Sequence, residues 1–394
     1  MEISRDAAKE TARAQVATLG DGLVGLSHRI HAAPELSFEE HRAARWCAEM
    51  LEAGGFAVST PVADLPTAFR AEIGDGPLAL GICCEYDALP EIGHACGHNV
   101  IAAAGVGAGL ALAPVASALG LRVVVLGTPA EEGGGGKITM LERGAFDGLS
   151  AAMMVHPWPT ELIQMPCLAV AHMDVRYRGR AAHASAFPEL GINALDALTI
   201  AQVAIGLLRQ HAPAGAQVHG IVTRGGDAPN IVPELAEAKY YVRARDLASL
   251  APWNERVRHC FEAGALATDA SVEFLPQGPA YSEFVMDADL AALYRANAEA
   301  LGRVFPDPPE HDVPASSDMA NVSLVMPAIH PTLGIGSLPA VNHQAAFTEH
   351  AGGPLADRAT LDGALALAWT AVDAATSESV RARLAARTYN AASS

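Results

Sequence analysis

The sequence predicts an α/β protein of two domains: an αβα domain on a largely parallel sheet, and a smaller antiparallel α+β domain inserted into it. Three observations predict this. Apolar runs LALGICC (78–84), LRVVVLG (121–127) and SAAMMVH (150–156) alternate with helical patterns at 39–53, 99–119 and 137–143, as βαβ units do. The texture then changes. LAVAHMDVRYRG (168–179) and AEAKYYVRARD (236–246) alternate like strands, ALDALTIAQVAIGLLRQH (194–211) has helical spacing, and ASVEFLPQG (270–278) is a further strand, an α+β composition. Helical texture returns in DLAALYRANAEALG (289–302) and DRATLDGALALAWTAVDAA (357–375), with PAIHPTLGIG (327–336) as a strand between them. The domains are therefore 1–167 with 286–394, and 168–285.

Taken in order, MEISRDAAKETARAQ (1–15) alternates charges as an amphipathic helix does and has neither the basic stretch nor the apolar stretch of a secretory leader. A cytoplasmic protein is expected. Residues 99–121 carry no charge, which raises a membrane span, but Ala and Gly dominate and Pro114 interrupts; a buried helix is expected instead. The Pro-rich stretch FPDPPEHDVPASSD (305–318) is the long loop of the chain and is expected to border a site.

The 394 residues, 51% hydrophobic, suffice for a sizeable core in each domain. A formal charge of −18, with only 26 Lys and Arg spread along the chain, argues against nucleic acid as a partner. Six cysteines, at 47, 83, 84, 96, 167 and 260, are scattered without a CxxC pair, so no disulfide framework is expected.

Each of the three apolar runs ends in reactive residues: Glu85 and Asp87, then Glu131 and Glu132, then His156. Ligands of parallel sheets gather at strand C-terminal ends. In GHACGHN, Cys96 and His98 stand two apart, a spacing that converges on one point in a loop, with the helix entered at about Asn99. A thiolate suits a borderline-soft cation such as Zn²⁺; a buried Cys and a capping His are the competing reading. TPAEEGGGG (128–136) places adjacent carboxylates on what reads as extended backbone, where they point opposite ways. One can hold a cation while the other acts as general base, against a solvated acidic loop as the alternative. In MMVHP, His156 ends its strand and Pro157 blocks further pairing.

EYDALPEIGHACGHN, TPAEEGGGGKITMLERGAFDG, MMVHP, YRGRAAHASAFPELGINALDA, HGIVTRGGDAPNIVPELAEAKYYVRA and SSDMANVS, in this order over roughly 25–350, resemble the two-metal aminoacylase and carboxypeptidase family. The likeness is to the amidohydrolase branch with aminobenzoyl-glutamate hydrolases and dipeptidases for basic dipeptides. The resemblance implies that Cys96, His98, Glu132, His156 and His343 hold two divalent cations, zinc first with manganese or cobalt as alternatives. It makes Glu131 the general base and Asp87 the orienting partner of a ligand imidazole. Where the broader family has a histidine two places before that aspartate, this chain has Glu85. The inserted domain becomes a ferredoxin-like lid and dimerisation domain, with His183 polarising the scissile carbonyl from the partner subunit and Asn230 and Arg243 holding the substrate carboxylate.

The expected function is metal-dependent hydrolysis of the amide in an N-acyl amino acid or dipeptide-like substrate: an aminobenzoyl-glutamate-like compound, an aromatic acyl amino acid or a short dipeptide. Glu131 would take a proton from cation-activated water and pass it to the leaving amine. Two competitors stand beside it. A non-catalytic metal-binding or structural protein with an inert site needs no spare carboxylate beside its ligands. A thiol-nucleophile hydrolase would need Cys96 and His98 in contact, which their spacing disfavours.

Overall fold

The computed structural model describes residues 3–275, 277–306 and 315–393; residues 307–314 of the expected site-bordering loop lie outside them. The chain divides into two compact units, residues 1–166 with 284–394, and residues 167–283.

The first unit opens with α1 (Arg5–His31) and α2 (His41–Ala53), then β1 (Ala57–Ser59), β2 (Phe69–Ile73), β3 (Leu78–Cys84), α3 (His98–Leu112), β4 (Leu121–Gly127), α4 (Gly136–Glu142), β5 (Ala151–Met153) and β6 (His156–Trp158). The second unit follows with β7 (Ala169–Arg178), α5 (Ala194–Leu208), β8 (Gln217–Arg224), β9 (Leu235–Ala244), α6 (Leu247–Thr268) and β10 (Ser271–Leu275). The chain returns to the first unit through α7 (Ala288–Ala300), α8 (Met319–Val325), β11 (Ala328–Ile329), β12 (Thr332–Gly334), α9 (Ala345–Ala351), α10 (Pro354–Thr376) and α11 (Glu378–Ala385).

The main sheet of the first unit has the order β1-β2-β4-β3-β5-β11. Its centre is parallel, β3 with β4 and β5, and β5 with β11, while β2 and β1 add an antiparallel edge. β3 and β4 match the apolar runs that predicted them, because strands covered on both faces carry unbroken hydrophobicity. From β3 the chain crosses to β4 on one side and then to β5 on the other. That reversal opens a crevice at the strand C-termini.

α3 is buried along its whole length, and its glycines explain why. A Cβ on Gly105 would stand 2.4 Å from the Cys84 sulfur, and one on Gly107 would stand 2.8 Å from Leu23 Cδ1. The charge-free run is thus a core helix against β3 and α1. It stops at Leu112 rather than at 119, and a 3₁₀ turn at Ser117–Leu119 finishes the segment. No helix of the described residues is long and apolar enough to cross a membrane.

Two strand expectations are corrected. The run at 150–156 breaks into β5 and β6, and Pro157 does not end pairing: it lies inside β6, opposite Leu333 of β12. A two-stranded ladder leaves an open edge that tolerates a residue without an N–H. PAIHPTLGIG likewise splits into β11 and β12, with His330 and Pro331 between them.

The second unit has the element order βαββαβ and an antiparallel sheet β10-β7-β9-β8. Ala236, Ala238, Tyr240, Val242 and Ala244 of β9 turn to the core, which includes residues of α5 and α6. This is the ferredoxin-like α+β arrangement.

Candidate metal centre

Five chain segments of the first unit meet at the crevice. β3 runs out at Cys84 into Glu85 and Asp87. Before α3, Gly97 takes a left-handed φ of 78°, and a Cβ there would lie 2.5 Å from Pro157 Cγ. That turn sets the Cys96 thiol and the His98 ring toward one point, which a helical continuation could not do. After β4 the chain reverses through Ala130, φ 59°, so Glu131 and Glu132 open a turn over 131–134. The expected extended backbone is therefore corrected: the left-handed Ala130 and the following glycines fold the pair into a tight turn, and the turn, not strand alternation, separates the two carboxylates. β6 presents His156, and His343, itself at φ 68°, donates its N–H to the Ala95 carbonyl.

The distances are short. Cys96 Sγ lies 3.5 Å from His156 Nε2, and His343 Nε2 lies 3.4 Å from Glu132 Oε1. His98 Nε2 stands 3.5 Å from Glu85 Oε2 and 3.9 Å from both Glu131 Oε2 and Glu132 Oε1. Three ligand triads result, each with its donor atoms within 4.8 Å of one another: Cys96–His98–His156, Cys96–Glu132–His343 and Glu85–His98–Glu131. Cys96 belongs to two of them.

A carboxylate stands behind the ligands. Asp87 Oδ1 lies 2.9 Å from His98 Nδ1, and Asp87 Oδ2 accepts the Glu132 N–H at 2.9 Å. Burial disfavours a charged His98 ring, yet Asp87 outweighs it and holds the ring well above the usual imidazole range; a basic ring is a strong donor. His156 is pushed well below that range by burial and by His330, keeping it neutral for a cation. Burial, then Glu85 and Glu132, raise Glu131 well above the ordinary carboxylate range, the direction a general base needs.

The donor set fits divalent cations. Among the described residues, Glu85 Oε2, His98 Nε2 and Glu132 Oε1 are buried and have no hydrogen-bond partner, although each is directed at another member of the cluster. Buried polar atoms are ordinarily paired, so these facing side chains mark a candidate cation site. One thiol, imidazoles and carboxylates form a mixed S/N/O donor set able to hold divalent cations.

The other expected residues lie in the second unit. His183 is exposed, and its Nδ1 accepts the Ser185 and Ala186 N–H groups at 3.3 and 3.2 Å. The Asn230 carbonyl accepts the Ala184 N–H at 3.0 Å, so those two segments are neighbours. Arg243 lies on β9, its guanidinium 5.7 Å from the Tyr241 ring centre.

Several residues of the centre escaped the sequence. Lys137, with no exposure, bridges Glu85 at 2.5 Å and Asp318 at 2.6 Å; the two carboxylates outweigh burial and keep it charged. His330 is buried beside His156, ring centres 5.5 Å apart. Glu40 and Ser37 reach the centre from before α2. The available signals were Asp318 within SSDMANVS and Lys137 closing the glycine run.

A crevice at parallel strand ends lined by a cluster of potential metal ligands and buried carboxylates is what a metal-dependent hydrolase requires. Residues 84–354 match the peptidase family M20/M25/M40. The chain is 41% identical over 382 residues to the mouse Xaa-Arg dipeptidase, covering 93% of this chain and 88% of that protein. It is 35% identical over 269 residues to a p-aminobenzoyl-glutamate hydrolase chain of Escherichia coli K12, covering 63% and 56%. A solved dinuclear metal-binding M20 peptidase from Bacillus subtilis superposes with a TM-score of 0.60 at 22% identity, covering 88% of this chain and 98% of that one. The chain belongs to the peptidase family M20/M25/M40. It is a metal-dependent hydrolase of amide or peptide bonds.

Proposed function

We propose that the enzyme cleaves the amide of a dipeptide or N-acyl amino acid with a free C-terminal carboxylate, and that Glu131 is its general base. The observation that carries this reading is the placement of Glu131. It is buried among the candidate ligands, 3.9 Å from His98 Nε2, while its neighbour Glu132 lies in a different ligand triad. One glutamate is thus available to hold a cation and the other to move a proton.

Cys96, His98, Glu132, His156 and His343 would hold two cations per chain. When bound, the cations supply Lewis acidity, polarising the substrate carbonyl and acidifying water. Glu131 takes a proton at its carboxylate and returns it to the leaving nitrogen. Asp87 holds the His98 ring in place through Nδ1. In this reading His183 would polarise the scissile carbonyl and Asn230 and Arg243 would bind the substrate carboxylate, roles suited to a hydrogen-bond donor and a forked guanidinium.

Zinc suits the thiolate best, with manganese and cobalt tolerated. Assembly as a homodimer through the second unit is supported by its exposed apolar side chains, Val203 and Leu207 of α5 and Ile221 of the edge strand β8. Six free cysteines favour the cytoplasm. The similarity to the Xaa-Arg dipeptidases makes Xaa-Arg dipeptides the first substrates to try.

The test is a metal-supplemented screen of alanyl-arginine, aminobenzoyl-glutamate and acetyl and indole-acetyl amino acids, followed by chelation and re-addition of zinc, manganese or cobalt. The expected result is hydrolysis that chelation abolishes and one of these metals restores. Hydrolysis untouched by chelation after exhaustive metal removal would refute the reading.

A further inference from the structure

We propose that Glu40 is a positioning residue for Glu131: its carboxylate grips the turn that carries the base and ties it to the end of the neighbouring strand. The inference rests on the reading of Glu131 as general base and adds a residue that lies outside the segment matched to the family, 84–354.

Glu40 immediately precedes α2, where a carboxylate would ordinarily cap its own helix. It makes no such bond. Its side chain is wholly buried and turns toward the crevice instead. Oε1 accepts the Ala130 N–H at 2.9 Å, and Oε2 accepts the Thr67 hydroxyl at 2.7 Å. The Thr67 carbonyl in turn takes the hydroxyl of Tyr86, which sits between Glu85 and Asp87. One carboxylate thereby joins the exits of β3 and β4.

The symmetry of the grip identifies its purpose. Ala130 precedes Glu131 and Glu132 follows it. The Ala130 amide is held by Glu40 and the Glu132 amide by Asp87, at 2.9 Å each, so the base is clamped on both sides by buried carboxylates. Asp87 also accepts the Ser37 hydroxyl at 3.2 Å, and the Ala88 N–H reaches the Glu35 carbonyl at 2.9 Å. The segment 35–40 is in effect a brace laid along both strand ends.

Backbone strain marks the same place. Ala130 and Phe38 both adopt left-handed φ, 59° and 66°, although neither is glycine. Each costs about 1 kcal/mol or more and persists only where its surroundings over-determine it. The Phe38 ring closes on the far side of the turn: a Cβ on Gly134 would stand 2.8 Å from Phe38 Cε2. Without the Glu40 grip, Ala130 is free to relax to negative φ and Glu131 swings with it. A displacement of about 1 Å at a catalytic group costs on the order of 10²-fold. The loss falls on kcat, because a general base acts in the transition state and not on bound substrate.

Burial and the neighbouring Asp87 push the Glu40 carboxyl up to about 7, so a neutral glutamine is a close mimic. Its amide oxygen can accept from Ala130 and its NH₂ can donate to Thr67. The experiment measures kcat, KM, bound metal and Tm on the zinc- or manganese-loaded chain, with alanyl-arginine or the fastest substrate of the screen above. Glu40→Ala is expected to lower kcat by about 10–100-fold while KM and metal per chain stay within about twofold, and Glu40→Gln is expected to recover most of that loss. A folded, metal-loaded Glu40→Ala protein with kcat within about threefold of wild type would overturn the proposal. So would a loss that merely follows lost metal, or a Glu40→Gln protein no better than Glu40→Ala. Should Glu40→Ala fail to fold, Thr67→Val decides: a kcat lowered several-fold at unchanged KM supports the clamp, and wild-type kcat refutes it. Glu131→Gln is run alongside. If it turns over normally, the base assignment and the clamp fall together; if it is inactive while Glu40→Ala is normal, only the clamp falls.

Discussion

The floor and the rim of the metal centre are built on different principles. At the floor, Glu85, Asp87, His98, Lys137 and Asp318 are all within 1% of full burial and tied to one another by ion pairs of 2.5–2.9 Å. At the rim, the His343 side chain is 57% exposed and meets Glu132 at 3.4 Å. Burial and ion pairing hold the floor's groups in place. The rim can exchange. Preorganised charge inside a dry wall is worth more in a transition state than the same charge in solvent, and a partly open rim gives metal and substrate a way in.

That contrast can be broken at several points. Cys96, shared by two ligand triads, joins floor to rim; Cys96→Ala is expected to lose metal at both positions and reduce turnover to background, checked by metal analysis beside kcat. Lys137→Met strikes the floor alone. Leaving Glu85 and Asp318 as unpaired buried charges should cost about 3–5 kcal/mol, read as a lowered denaturation midpoint even in metal-free protein. His343→Ala strikes the rim alone. It should lose about one cation per chain while the metal-free midpoint stays within about 0.5 kcal/mol of wild type.

The smallest effect is a pH dependence. Glu40 rises from an unfolded value of about 4.3 to about 7 in the fold, by burial first and then repulsion from Asp87. The folded state therefore holds the extra proton between those values, and the group's contribution falls as pH rises from about 4 through about 7. Glu40→Gln should accordingly gain stability over wild type at pH 8 and show no difference at pH 4, measured by thermal or urea unfolding.

Much of this centre was legible in the sequence because its chemistry sits at the ends of unbroken apolar runs. β3 and β4 announce themselves by continuous hydrophobicity, and the reactive residues follow at once. β8 and α6 were harder. β8 is exposed at all but Val218, so it carries no alternation to read, and α6 contains Pro252, ordinarily a breaker. The pair Glu131–Glu132 was visible, yet its turn was not, because the left-handed residue is Ala130 rather than one of the glycines. Glu40 looked like one more surface acid ahead of a helix. What buries it is the exit of β4, 90 residues downstream, a contact that no local pattern encodes. Lys137 was hidden likewise: its partners Glu85 and Asp318 lie far from it in sequence, and an isolated lysine after four glycines reads as solvated.

Under the proposed function, Glu131 moves the proton while its neighbours hold the cations. The direct measurement is metal content and turnover on the same preparation of Glu131→Gln. The expected result is wild-type metal per chain with turnover reduced by about 10²–10⁴-fold. Turnover within about threefold of wild type, with the metal in place, would contradict it.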